Sequence, residues 1–292
     1  MRIGEFDLLE PRLRLGDAVE AAFDWFTDTF RTALDGVSAA LTGAYNLLTD
    51  ILLLAPFYVV IVILAVLALV VRSWRFALFT MASFYLIVAM DQWYTAMHTL
   101  SLVLVAAAVA VALSIPLGIL AAKSNTFEGI IRPVLDFMQT MPPLVYLIPA
   151  LAAFGVGVTG GIVATVIFAM PPGVRFTNLA IRQVDTEVVE AGQAFGASPR
   201  RILRQIQLPL ALPTIMAGIN QVIMLSLSMV VLAAFVGAAG LGGEVINALM
   251  RLDVPQGAEA GLAVVILAIY LDRMVAALAD RAPVVRASRV RT

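Results

Sequence analysis

The chain has 292 residues, 61% of them hydrophobic and 13% charged, with a mean hydropathy of +0.96. Soluble domains run at about 45–50% apolar and about 25% charged, and a chain of this size has too little interior to hide such an excess. Composition therefore excludes a soluble enzyme, a disordered chain and a nucleic-acid binder, and places most residues in lipid. A net charge of −1 gives no basic field for acidic partners. With no cysteine and one histidine, His98, the sequence is not expected to hold a metal site, a disulfide or a Cys or His relay.

Residues 1–50 lack the basic start of a signal peptide. Within them Leu15, Val19, Ala22, Phe23, Phe26, Phe30, Leu34 and Val37 recur at three- and four-residue spacing, with Asp17, Glu20, Asp24, Asp28 and Asp35 between them. That pattern predicts an amphipathic helix over 15–48, lying on the outer membrane surface or docking a partner. Spans then follow in order. A helix needs about 20 apolar residues to cross about 30 Å. Residues 51–71 are uncharged and suffice for one span. Residues 76–90 make a short one of about 22 Å, with Arg75 snorkelling. Residues 92–122 hold a long span, and 137–174 hold two, divided at Gly155–Gly161. The last two cover 212–240 and 258–279. The expected fold is an all-α, polytopic membrane protein of about seven helices.

Positive residues set its orientation. With the C-terminus in the cytoplasm, only Arg2, Arg12, Arg14, Arg31 and Arg251 of the 19 Lys and Arg face outward. The divisions are an external tail (1–50), two accessory spans (51–90), a core (91–280) and a basic cytoplasmic tail (281–292).

The longest stretch between spans runs from Arg175 to about Ala211. Asp185 is a predicted N-cap for a helix to Phe195, and Gly196 ends it. Ser198 is expected to cap a second helix with Pro199 at its first position, ending at Pro209, with Pro213 opening the next span. Ile202, Leu203 and Ile206 make its apolar face, and Arg200, Arg201, Arg204 and Gln205 its polar one. Physics alone leaves two readings, a connector whose arginines hold lipid phosphates and a module that docks on a soluble partner. The spacing favours docking. Glu190-Ala191-Gly192, then three residues, Gly196, nine residues and Ile206-Gln207-Leu208-Pro209 resemble the E-A-A loop of ABC importer permeases, with Gly192 where Ala is usual. The resemblance implies a coupling loop over 182–211. In it Glu190 would meet a cation or cap a neighbouring helix, Ala191 and Ala194 would allow close approach, and Pro209 would fix the exit direction, with Leu208 beside it. Met138–Pro149, Val166–Arg175, Gln207–Gln221 and Leu227–Gly243 are similar to glycine betaine/proline betaine permeases, a likeness covering roughly 95–280. It implies a type I ABC importer permease fold, a homodimer, two copies of an ATPase subunit carrying ATP and Mg, an external or periplasmic substrate-binding protein, and no cofactor in this chain. Selectivity is expected in the binding protein, so choline, proline betaine and other small methylated amines remain open beside glycine betaine. An amino-acid permease is a further alternative.

The chain lacks a phosphate loop, since its one lysine, Lys123, follows Ala122. A secondary transporter stays open on that ground, but ion coupling usually needs mid-membrane ionisable groups, and the central parts of the spans have none. Asp136 and Asp272 are expected to cap helices or pair with arginines. Candidate path residues are Gln139, Pro142, Tyr146, Asn220, Gln221 and Ser228, with Ser226 nearby. Lining a pore and bonding between helices are both open for the polar ones. Trp93 and Tyr94 suit the interfacial belt, and His98 a bonded interfacial role. Gly237, Gly240, Gly242 and Gly243 suit a gate or a close helix contact.

Overall fold

A computed structural model describes residues 15–280. The basic tail at 281–292, the helical repeat's start at the Leu15 side chain, and Arg2, Arg12 and Arg14 lie outside the described side chains. Among the described residues every regular element is a helix. In chain order these are α1 (Leu15–Thr29), α2 (Arg31–Leu54), α3 (Phe57–Val71), α4 (Trp74–Ala89), α5 (Trp93–Lys123), α6 (Asn125–Thr140), α7 (Leu147–Phe154), α8 (Val158–Arg182), α9 (Thr186–Ala194), α10 (Pro199–Ile202), α11 (Leu208–Ala233), α12 (Leu241–Arg251) and α13 (Val254–Asp280).

Length and apolarity pick out five helices able to cross a membrane, and six if the bent pair α6–α7 counts as one. The expected spans correspond to α3, α4, α5, the α6–α7 pair, α8, α11 and α13. Three boundaries differ from expectation. The span expected at 51–71 is cut at Ala55–Pro56. Ala55 is extended (φ −90°, ψ 149°), as a residue before proline prefers, and α3 restarts at Phe57 with 15 residues. The span expected at the start of 137–174 is not straight: α6 and α7 meet at 110°, because Pro142 and Pro143 remove two successive N–H donors. The glycine break is shorter than expected. Gly155 (φ +73°) and Gly157 (φ +136°) make the turn, while Gly160 and Gly161 lie inside α8.

The expected helix over 15–48 is two helices, parted at Phe30, and α2 continues to Leu54. Although α2 is long and apolar enough to span, its bonds run across helix starts, not down their lengths. Ser38 and Thr42 reach Thr159 in the first turn of α8 (3.4 and 2.8 Å). The Tyr45 hydroxyl bonds His98 Nδ1 near the start of α5. α2 thus lies over one end of the bundle, and His98 takes the bonded role expected of it.

At the centre α8 packs between α5 and α11. Lipid gives helices no hydrophobic drive to associate, so close backbone approach through small residues does that work. A Cβ on Gly173 would stand 2.8 Å from Ser114 Cβ, and one on Gly118 would stand 2.8 Å from the Val174 carbonyl oxygen. Where α12 crosses α11, a Cβ on Gly242 would meet the Val231 carbonyl at 2.7 Å, which is the close contact its sequence suggested. α3 and α4 form a hairpin attached to α13. There the Tyr270 hydroxyl donates to the Leu64 carbonyl (3.3 Å), and the rings of Phe76 and Phe84 flank it. Trp93 packs against Phe57 and Phe84, whereas Tyr94 is exposed with its ring against His98.

Candidate coupling loop and translocation face

The loop between α8 and α11 is an ordered hairpin of helices. Asp185 Oδ1 accepts the Glu187 N–H (2.9 Å), which caps α9 as its position suggested. At the other end Gly196 adopts φ +74°. Its N–H donates to Gln193 O (2.8 Å) and the Ala197 N–H to Gly192 O (3.1 Å). These are the paired reverse bonds that satisfy the last carbonyls of a helix when a left-handed residue follows it. Pro199 takes the first position of α10, as expected. Ser198 caps through its carbonyl, which accepts from Arg201 and Ile202 (2.8 and 2.9 Å), and not through its side chain.

Pro209 does not end the second helix, contrary to expectation. α10, a π-helical turn at Leu203–Gln207, and α11 run on as one helix from Pro199 to Val236. Pro209 has no N–H and its ring crowds the carbonyl four residues back. The wider π turn, in which the Leu208 N–H reaches Leu203 O, absorbs both defects. Pro213 likewise lies inside α11. The loop is thereby a rigid extension of a span.

Ile202 and Leu203 are buried, and Leu203 packs with Ala180, Ile181, Ala211 and Ile215, with Leu208 at the edge. Ile206 and Pro209 are half-buried. The matching point on α9 is Gly192, against Ile206. Gly192 is half-buried, and α9 has no buried residue. Glu190, Ala191, Ala194 and Gly196 all face outward, Phe195 is 91% exposed, and Val188, about two turns earlier, is exposed too. Phe195 was not singled out from sequence. Its place directly before the turn glycine was the available signal.

The path candidates separate into two groups. Gln221 and Ser228 lie two turns apart on one exposed face of α11, completed by Ala217 and Met224. Ser228 Oγ donates to Met224 O (3.1 Å), leaving its acceptor lone pairs outward. Ala217 and Met224 carry no polar group, and only the helical period of the face marks them in the sequence. Asn220 and Ser226 point elsewhere. Asn220 Nδ2 donates to Asp272 Oδ1 on α13 (2.9 Å), and Ser226 is buried with its hydroxyl on Val222 O. Asp272 also lies 3.8 Å from Arg273, and Asp136 pairs with Arg175 at 2.5 Å, as the sequence suggested for both. Tyr146 is 4% exposed, its ring near Phe168 and its hydroxyl donating to the Met138 carbonyl. It latches the α6–α7 bend. Gln139 and Pro142 are exposed at that bend. Among the described residues no three His, Asp or Glu side chains converge as a metal site.

Residues 114–282 match the binding-protein-dependent transport system inner membrane components, and the chain belongs to this family. It is a multi-pass membrane permease subunit of an ABC transporter, which works with a separate ATPase and a substrate-binding protein. Among its relatives it is similar to the glycine betaine transport system permease protein OpuAB of Bacillus subtilis, 46% identical over 264 residues, or 90% of this chain and 94% of that protein. It is similar to the glycine betaine/carnitine transport permease protein GbuB of Listeria monocytogenes, 53% identical over 211 residues, 72% of this chain and 75% of that one. The glycine betaine/proline betaine permease ProW of Escherichia coli is 41% identical over 280 residues, 94% and 79% of the two chains. In three dimensions the chain resembles a chain of the inward-facing MetNI methionine ABC transporter, with a TM-score of 0.57, 21% identity, and coverage of 70% of this chain and 96% of that one. That likeness concerns the fold alone.

Proposed function

We infer that this chain forms the transmembrane path of an ATP-driven importer for glycine betaine or a related quaternary ammonium osmolyte such as proline betaine or choline. The observation that carries this reading is identity of 46% to a glycine betaine permease along nearly the whole of both chains. Two copies of the chain pair so that the exposed stripe Ala217, Gln221, Met224 and Ser228 of each faces a shared path. That stripe is uncharged, which suits a zwitterion handed over by a binding protein that supplies the affinity. Two ATPase subunits hold ATP and Mg and seat α9 with its exposed Phe195. Glu190 lies on the same seated surface. The N-terminus is outside and the C-terminus cytoplasmic, supported by the fourteen positive residues on the loop side. On this reading α1 and α2 cover the outer ends of α5 and α8.

Reconstitution in proteoliposomes tests it. The chain with its ATPase, a binding protein loaded with radiolabelled glycine betaine, and ATP should accumulate substrate. The chain alone under a sodium or proton gradient should not. Uptake by the isolated chain on an ion gradient would overturn the reading in favour of a secondary transporter.

A further inference from the structure

The root of the coupling loop is tied to its neighbours by one side chain. Arg182 ends α8, and α9 begins at Thr186. The Arg182 Nη2 donates to Ala121 O in the last turn of α5 and to Asn125 Oδ1 in the first turn of α6, both at 2.9 Å. The same nitrogen lies 2.7 Å from Glu128 Oε2 on α6. Its Nε donates to Asn178 Oδ1 (2.9 Å), whose amide in turn donates to Glu128 Oε1 (2.9 Å). A planar guanidinium presents its donors in a rigid fork, so Nη2 and Nε can hold α5, α6 and Asn178 at once, where an ammonium has three rotatable donors on one nitrogen and no fixed fork. About two turns earlier on α8, Arg175 Nη2 pairs with Asp136 Oδ1 on α6 at 2.5 Å.

Between these two pins α6 hardly packs. Leu135 is its only buried residue among those described, and a cavity of about 330 Å³ opens between α6 and the ends of α5 and α8. α6 is thus held to α8 by polar pins at both ends and not by an apolar seam. Beyond the second pin it runs to the break at Met141–Pro142. After the break, Tyr146, Leu147 and Ala150 pack firmly on Ala164 of α8 and on Met229 and Val236. A helix pinned at two points, loosely packed between them and jointed at its far end is built to move as a rod.

We propose that Arg182 is a positioning residue for transport. With Asp136–Arg175 it makes α6 a strut that carries the movement of the coupling loop to the Met141–Pro142 joint, beside Gln139. When the ATPase displaces the loop, the end of α8 and α6 travel together, and the joint takes up the change in angle as the Tyr146–Met138 bond across it gives way. This inference goes beyond the importer reading but rests on it.

The exposed pair allows a test by charge exchange in the complete transporter with ATPase and binding protein. Asp136→Arg and Arg175→Asp should each keep ATPase co-purification and basal hydrolysis while lowering glycine betaine moved per ATP by about fivefold or more, the lower end of ordinary coupling between sites. The exchanged pair, Asp136→Arg with Arg175→Asp, should recover most of that ratio. A static brace would change protein level or assembly and leave the ratio alone, and that result overturns the proposal. Equally, an exchanged pair no better than the single variants overturns it.

A second measurement guards against variants that fail to assemble. The chain has no cysteine, so Asp136→Cys with Arg175→Cys can be bridged by a short bifunctional thiol reagent. The unbridged double variant lacks the pin and should show the lowered ratio; because α6 and α8 move as one body, bridging should restore most of it. Transport abolished by bridging and restored on cleavage of the bridge would mean that the helices part during the cycle, and would sink the strut. Absence of uptake by the unaltered transporter would count against the importer reading and not against the strut.

Discussion

Gly192 on α9 faces Ile206 in the π-helical turn so closely that a Cβ on Gly192 would stand 2.7 Å from Ile206 Cδ1. The two helices of the loop are locked at this point. The obstructing atom is the tip of a flexible side chain, so a single methyl can be accommodated by a rotation, whereas a branched side chain cannot. Gly192→Ala also gains about 1 kcal/mol of helix propensity. It should transport at close to the unaltered rate. Gly192→Val should push the helices apart and lower ATPase co-purification, and Ile206→Ala added to it should restore part of the loss. Pull-down of the ATPase from solubilised membranes reads all three.

Gly196 has open space around it but a φ of +74°, so the objection to a side chain there is conformational. Valine at that position costs roughly 1–3 kcal/mol of strain, while asparagine enters the left-handed region readily. Gly196→Val should insert in the membrane at normal level yet lose ATP hydrolysis stimulated by loaded binding protein; Gly196→Asn should keep it. A loop that merely held lipid would give the opposite ranking, with the main defect on joint neutralisation of Arg200, Arg201 and Arg204.

How far the sequence carried this picture depends on what each feature needs. Asp185, Gly196 and Pro199 act through local backbone chemistry, and the structure places each as its spacing indicated. The bend at Met141–Pro142 sits at a proline pair, but its angle depends on what α7 packs against. A proline ordinarily stops a helix, and the π turn that lets this one run through Pro209 has no sequence marker. Asn220 and Gln221 are neighbours in sequence with similar amides. Only the position of α13 decides that one is bonded to Asp272 and the other exposed. The Arg182 junction joins positions from 121 to 182, which no local pattern can reveal.

Phe195, at 91% exposure directly after α9, is the side chain at this end of the loop with most to gain from a partner. Buried aromatic anchors in protein interfaces typically account for about 2 kcal/mol or more on truncation. Phe195→Ala should leave membrane level unchanged and weaken ATPase binding by about tenfold or more. An unchanged affinity in a titration of the ATPase onto permease-containing nanodiscs would remove Phe195 from the docking surface.

Topology can be read from single cysteines, since the chain has none of its own. Asp24→Cys on α1 should react with a membrane-impermeant maleimide in intact cells. Phe195→Cys should react only after the membrane is opened. Labelling of both from the same side would break the odd number of crossings between α1 and the loop, most directly at the 15-residue helix α3 or its partner α4.

The exposed face of α11 offers the sharpest test of where substrate passes. Gln221 and Ser228 are exposed on that face, while Asn220 is held by Asp272 on the neighbouring helix. A thiosulfonate carrying a trimethylammonium group delivers, to any accessible cysteine, a cationic head like that of the proposed substrates. Gln221→Cys and Ser228→Cys should therefore react during turnover and lose uptake, and saturating glycine betaine with loaded binding protein should slow the reaction. Asn220→Cys should react slowly, and its defect should appear instead as lower thermal stability, because Asp272 loses a bond of the kind worth about 0.6–2 kcal/mol between membrane helices. The cause of protection matters here. Substrate in the path shields Gln221→Cys and Ser228→Cys directly, so shielding should follow substrate concentration at fixed ATP. If both cysteines react freely with no loss of uptake, the face meets lipid and the path lies elsewhere. If Asn220→Cys reacts as fast as Gln221→Cys, the partition between structural and path residues on α11 is wrong.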